Sequence, residues 1–160
     1  YYEVIQAKTA VLFGAACYGG ALLSGASEYK AEELREYGIS LGIAFQIVDD
    51  ILDYQGDPAT MGKNLGDDLA EGKPTLPLIH AIQTAKTQDA DLIRTAITKK
   101  DKSLLSDVVR IIHASGSLAY SRERALEFQH KAEQAISELP AGQMKEALTA
   151  LAQQAISRIH

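Results

Sequence analysis

Residues 46–53 read Gln-Ile-Val-Asp-Asp-Ile-Leu-Asp, which drops three carboxylates into an otherwise apolar run; residues 39–45 before them carry no charge. Ionised carboxylates among apolar side chains are costly unless a cation answers them. The stretch therefore constrains the fold to one that places an acidic strip on a nearly buried element and predicts a bound metal or cationic ligand. As a helix its geometry is specific. At ~100° per residue, Asp49 and Asp53 stand ~40° apart, with Asp50 on the same arc and Gln46 below. Gly42 falls on that face too, an expected open volume beneath the acids. Leu41, Ala44, Val48, Ile51 and Leu52 cover the opposite arc, the pattern of a helix packed on most sides.

The rest of the chain agrees with a helical protein. Periodicity near 3.6 dominates and no segment alternates for long. Helices are expected over 2–24, ended by Gly25, and over 31–54, with Ser27 or Glu28 near the start. A loop over 55–72 follows, holding Gly56, Pro58, Gly62, Gly66 and Gly72. Pro74 suits the first turn of a helix running to about residue 84. Further helices are expected over 89–98, 102–115, 117–139 and 142–159. With 160 residues and no linker or repeat, the expectation is a single all-α domain, orthogonal or bundle-like, over 1–160. The chain opens on Tyr1-Tyr2-Glu3 already inside a helical pattern and reads as the downstream part of something longer.

Composition narrows the function classes. A net charge of −5 and the absence of a basic cluster argue against nucleic acid. Residues 9–26 form an 18-residue uncharged run, near the length of a membrane span. Its four glycines, its alanines and its polar Thr9, Tyr18 and Ser24 read instead as a close-packed core helix. The lone Cys17 builds no disulfide framework and suggests a reducing compartment; the expected location is cytoplasmic.

Seven of the 21 acids lie within 23 residues, from Asp49 to Glu71, a concentration that suggests a cation site rather than general solubility. Oxygen ligands without nearby His or Cys select a hard cation, and Mg²⁺ fits better than zinc. Such an ion normally shares its sphere with water and substrate phosphates, and an anionic substrate calls for lysines. Lys63 lies in a glycine-flanked loop after the acidic helix. Lys73 precedes Pro74 at the start of a helix whose N-terminus favours anions. Lys8-Thr9 lies at the edge of the uncharged run. Taken together, these residues read as a Mg²⁺–diphosphate clamp.

Here the chain resembles a known family. The order Lys8-Thr9, then Phe45-Gln46-Ile47-Val48-Asp49-Asp50-Ile51-Leu52-Asp53, then Gly62-Lys63-Asn64-Leu65-Gly66-Asp67-Asp68-Leu69 is similar to the downstream half of the trans-isoprenyl diphosphate synthases. The closing Glu71-Gly72-Lys73-Pro74-Thr75-Leu76-Pro77-Leu78 resembles the medium- and long-chain, octaprenyl-type members. The resemblance covers most of residues 1–80. It implies an isoprenoid-synthase-type helical bundle, partial here because the upstream helices are missing. It also implies that Asp49, Asp50 and Asp53 form the second aspartate-rich motif and hold Mg²⁺, with Asp68 supporting the metal's water shell. Lys8 and Lys63 would contact the allylic diphosphate, and Thr9 and Gln46 would line the site. The implied reaction joins isopentenyl diphosphate head to tail onto an allylic diphosphate. The family's first aspartate-rich motif and upstream basic residues are absent, so the chain alone is expected not to turn over. A homodimer is implied, as is transient membrane contact through a prenyl product. Three rivals stand beside this reading: a non-catalytic partner subunit of a heteromeric synthase, a terpene cyclase or squalene-type enzyme, and a structural helical module with solvated acids.

Overall fold

The computed structural model describes residues 1–55 and 65–158. Among them the regular elements are all helical, as the periodicity requires. The chain runs α1 (Tyr2–Ile5), a π-helical segment (Gln6–Ala10), α2 (Val11–Leu23), α3 (Glu28–Gln55), α4 (Asp67–Glu71), α5 (Leu76–Thr84), α6 (Thr87–Lys99), a 3₁₀ turn (Lys102–Leu104), α7 (Leu105–Ala114), α8 (Ser117–Ala135) and α9 (Gln143–Ser157). No helix of the described residues is long and apolar enough to cross a membrane.

A few boundaries follow from side-chain chemistry or from proline. Ser27 starts α3 earlier than the apolar pattern alone suggests: its hydroxyl accepts from the Lys30 amide at 3.3 Å and its carbonyl from the Ala31 amide at 2.9 Å, an N-cap arrangement. Pro74 does not enter the next helix. α5 begins after Thr75, with Pro77 in its first turn, where a missing N–H costs nothing. α6 ends on Lys100 in the left-handed region at φ 54°. The Asp101 carboxylate then accepts the Ser103 amide at 3.0 Å and opens the 3₁₀ turn.

Contacts gather the chain into two compact units, each taken by itself. One comprises Tyr1 with residues 49–123. Its core packs Tyr54 and Leu69 with Leu78 and Ala81 of α5, Ile93 and Ala96 of α6, and Val108, Ile111 and Ile112 of α7. In α7 the buried residues recur at three- and four-residue spacing while Asp107, Arg110 and His113 face water, the stripe of an amphipathic helix.

The other unit comprises residues 2–48 and the chain from Arg124 onward. Tyr37 and Leu41 pack there with Ala132, Ile136, Ala152 and Ala155, and the Tyr37 hydroxyl donates to the Leu148 carbonyl at 2.8 Å. The uncharged run is not the close-packed core helix expected. In α2 only Gly14 and Ala21 are buried, Leu12 and Leu23 are exposed, and Gly19 and Gly20 face open space, so close packing is confined to Gly14 and to the glycines of α3. A Cβ on Gly38 would lie 2.5 Å from the Phe13 carbonyl oxygen, and one on Gly42 would lie 2.6 Å from the Ala10 Cα. Backbone meets backbone where α3 passes the first helical rod. Gly42 therefore leaves no open volume beneath the acids, contrary to the reading of the helical wheel: the approaching chain fills the space.

Candidate functional site

The expected site residues fall in both units and are described unit by unit. In the unit of residues 49–123, α3 ends in the acidic strip. Ile51 and Leu52 are buried, while Asp49 and Asp53 are half-buried. Asp50 departs from the expected common arc. It is only 3% exposed and accepts the Tyr1 hydroxyl at 2.6 Å. At 100° per residue it turns ~100° away from Asp49, enough to point it inward. Nothing in a linear sequence links Tyr1 to a carboxylate 49 positions away, and this partner was not foreseen.

Asp53 is held from the other side. Its two carboxylate oxygens accept the backbone N–H groups of Asp67 and Asp68, each at 3.1 Å, and its carbonyl accepts the Gly66 N–H at 3.0 Å. Gly66 is left-handed at φ 75°, and a Cβ there would also strike Leu105 Cδ1 at 2.5 Å. Burial first, and then the negative charge of Asp68, push the Asp53 carboxyl up to about 6 against the lowering effect of the two N–H groups. Asp67 accepts Lys102 Nζ at 2.9 Å. Asp68, half-buried, accepts Lys73 Nζ at 3.0 Å, and Lys73 also reaches Glu71 at 2.6 Å. These two carboxylates, Glu71 foremost, raise the Lys73 ammonium further above its ordinary range. Gly72 closes α4: its N–H donates to the Leu69 carbonyl at 2.9 Å, and the Lys73 N–H to the Asp68 carbonyl at 2.9 Å, the paired bonds of a Schellman end. Lys73 thus sits two residues before the α5 cap, drawn back to α4. Beneath the acids Tyr54 is buried, its phenol raised chiefly by burial, with the Thr75 hydroxyl 3.5 Å away. Lys63 lies outside the described residues.

In the other unit, Lys8 is exposed and Thr9 half-buried, both on the π-helical segment. A π-turn in an α-helix is uncommon and concentrates at functional positions; composition gives no warning of it. The Thr9 hydroxyl donates to Gln46 Oε1 at 3.0 Å, so two residues chosen from distant motifs are brought into contact.

The donor chemistry of the acidic strip suits a hard divalent cation. Every candidate ligand offers carboxylate oxygen. Among the described residues no group of three or more His, Cys, Asp or Glu side chains is gathered to hold a metal by itself. An open site remains compatible with that finding, because Mg²⁺ commonly takes one or two protein carboxylates and completes its sphere with water and phosphate oxygens.

Comparison with known proteins decides the family. The polyprenyl synthetase model matches residues 1–114. The chain belongs to that family. It is 46% identical to an all-trans-nonaprenyl-diphosphate synthase (geranyl-diphosphate specific) of Rhodobacter capsulatus, over 99% of this chain and 49% of that protein. Identity to the octaprenyl diphosphate synthase of Escherichia coli K12 is 45%, again over 99% of this chain and 49% of the relative. Among solved structures, a polyprenyl synthase of Caulobacter crescentus CB15, crystallised with calcium and isoprenyl diphosphate, superposes with a TM-score of 0.93 at 42% identity, covering 100% of this chain and 49% of that one. The chain therefore spans about half the length of the curated relatives it matches. The all-α isoprenyl-synthase fold expected from the motifs is the fold found. The similarity also extends well beyond residue 80, where the motifs stop, because diffuse helical sequence still carries alignable core positions.

Proposed function

We propose that the chain is the downstream part of a Mg²⁺-dependent trans-polyprenyl diphosphate synthase of medium or long product length, which adds isopentenyl diphosphate head to tail to an allylic diphosphate. The observation that carries the reading is the half-buried pair Asp49 and Asp53 on an otherwise packed helix. The Caulobacter relative, crystallised with a divalent cation and a prenyl diphosphate, supports it. The 160 residues are read as one working domain.

Asp49 is the direct carboxylate for Mg²⁺ in this reading, with Asp50, Asp53 and Asp68 around it. Bound there, Mg²⁺ would supply charge neutralisation and Lewis acidity at the diphosphate. Lys8 and Lys63 meet the same diphosphate as point charges, Lys73 adds a further cation to the substrate-binding set, and Thr9 and Gln46 orient it by hydrogen bonds. As the allylic carbon–oxygen bond breaks, negative charge grows on the departing pyrophosphate. Fixed cationic groups aimed at that charge supply the kind of stabilisation that is usually the largest part of catalysis. The isopentenyl double bond then forms the new carbon–carbon bond, and loss of a proton regenerates the alkene. Exposed Val4, Val11, Leu12, Leu22 and Leu23 along the first rod offer a face for a second copy in a homodimer. A cytoplasmic enzyme that meets the membrane only through its product completes the reading.

Calorimetry of the chain with Mg²⁺ and an unreactive allylic diphosphate analogue tests it. Weak, metal-dependent heat that disappears in Asp49→Ala is expected, with no turnover of radiolabelled isopentenyl diphosphate by the 160 residues alone. Absence of heat, or heat unchanged by the substitution, leaves a structural module as the better account.

A further inference from the structure

Asp53 makes an arrangement that the metal reading alone does not require. Its carbonyl and both carboxylate oxygens receive three successive N–H groups, those of Gly66, Asp67 and Asp68. Consecutive amides converging behind a left-handed residue form a small concavity that receives anions; here the anion is the protein's own. The concavity needs Gly66 at φ 75°, and α4 behind it is locked by its Schellman end and by Lys73 on the Asp68 carboxylate. We propose that Asp53 is a positioning residue that seats α4 on the end of α3 and so sets the place of the Asp68 carboxylate, instead of holding the cation through its own oxygens.

The competing demands on that carboxylate decide the matter. Charge-assisted bonds from N–H to carboxylate are roughly twice as strong as neutral ones. Turning Asp53 toward a cation would strand two half-buried amides at the start of a five-residue helix, each costing on the order of 1–3 kcal/mol. The assignment rests on the proposed diphosphate chemistry only for what Asp68 is placed to do.

Amide hydrogen exchange on the full chain separates the two roles. In metal-free protein the Asp67 and Asp68 amides should be protected. Asp53→Asn, which keeps a single acceptor oxygen, should speed both at least tenfold, whereas Asp49→Asn should leave them unchanged. Unchanged protection in Asp53→Asn overturns the assignment whether or not the chain binds metal, which keeps it separate from failure of the proposed function. Should the variant fold poorly, the unsubstituted chain still decides the question: with Mg²⁺ and inorganic pyrophosphate the same amides stay as slow or become slower if Asp53 is a clamp, and exchange faster if its carboxylate leaves for the metal. Calorimetry adds a readout that a merely structural part would not move. Asp53→Asn should weaken pyrophosphate binding several-fold at every Mg²⁺ concentration, and recovery of full affinity at saturating Mg²⁺ counts against the clamp.

Discussion

The upstream and downstream stretches of α3 solve opposite problems with one continuous helix. From Tyr37 to Val48 the helix carries no charge, and at Gly38 and Gly42 it lets another backbone come within a distance that forbids a Cβ. Around Asp49 to Asp53 it carries three carboxylates, and each is accommodated differently. Asp50 is buried under the Tyr1 hydroxyl, Asp53 is bound by the amides ahead of α4, and Asp49 remains half-buried. Dispersion and volume govern the first stretch, where a methyl group is too much. Electrostatics governs the second, where the same helical spacing gives three acids three environments. A motif of like residues therefore need not be a set of like ligands.

The sharpest way to break this contrast is at the crossing. Gly38→Val should destabilise the chain by about 3 kcal/mol or more in urea unfolding, because the clash is with backbone that cannot rotate away. A loss below ~1 kcal/mol would mean that the rods do not approach as described. At the acidic end the effects are smaller. Asp53 titrates near 6 when folded against 3.8 for an ordinary aspartate, so the folded state holds this proton more tightly than the unfolded chain. The associated stability is complete below about pH 4 and is lost as pH rises through 6. The loss is on the order of 1–2 kcal/mol, discounted for the water that reaches this half-buried group. Chemical denaturation of metal-free protein from pH 4 to 7 should show the decline, and Asp53→Asn should flatten it. An unchanged slope in the variant would place the titration elsewhere.

Tyr1→Phe should cost about 1–2 kcal/mol at pH 7 by removing one donor from the buried Asp50 carboxylate, and Asp50→Asn should reduce that penalty; a double-mutant cycle measures the coupling. Lys73→Met should change stability least, by roughly 0.5 kcal/mol or less, since the Lys73 side chain is 44% exposed and exposed ion pairs contribute little. Thermal unfolding in low and high salt checks it, and a loss above ~1 kcal/mol would mean that Lys73 braces α4 more firmly than its exposure allows.

Helices were legible wherever a face repeats every three or four residues, as Val108, Ile111 and Ile112 do. The elements that escaped are local. α4 is too short to show a period and exists because the Asp53 carboxylate and Gly66 cap it. The π-turn that carries Lys8-Thr9 is a matter of backbone register, to which composition is blind. Pro74 and Pro77 compete for the same role, and the Thr75 cap awards it to Pro77. Among the site residues, helical spacing was enough to expect Asp49 and Asp53 on one strip, and the pairing of Thr9 with Gln46 agrees with the motif order. The partners Tyr1, Lys102 and the amides of Asp67 and Asp68 lie 49, 35 and 14–15 positions from what they bind, and no short-range pattern encodes such distances.

By itself the sequence determined an all-helical chain, an acidic strip on a buried helix, oxygen-donor chemistry suited to a hard cation, and membership of a family recognisable from the order of its motifs. These are properties of residue type and of a period that repeats along the chain. Which acid is buried, which is tethered to α4 and which glycine excludes a neighbour's side chain were decided by the tertiary structure alone. Burial and hydrogen bonding depend on what the fold brings alongside, and a one-dimensional period does not record it.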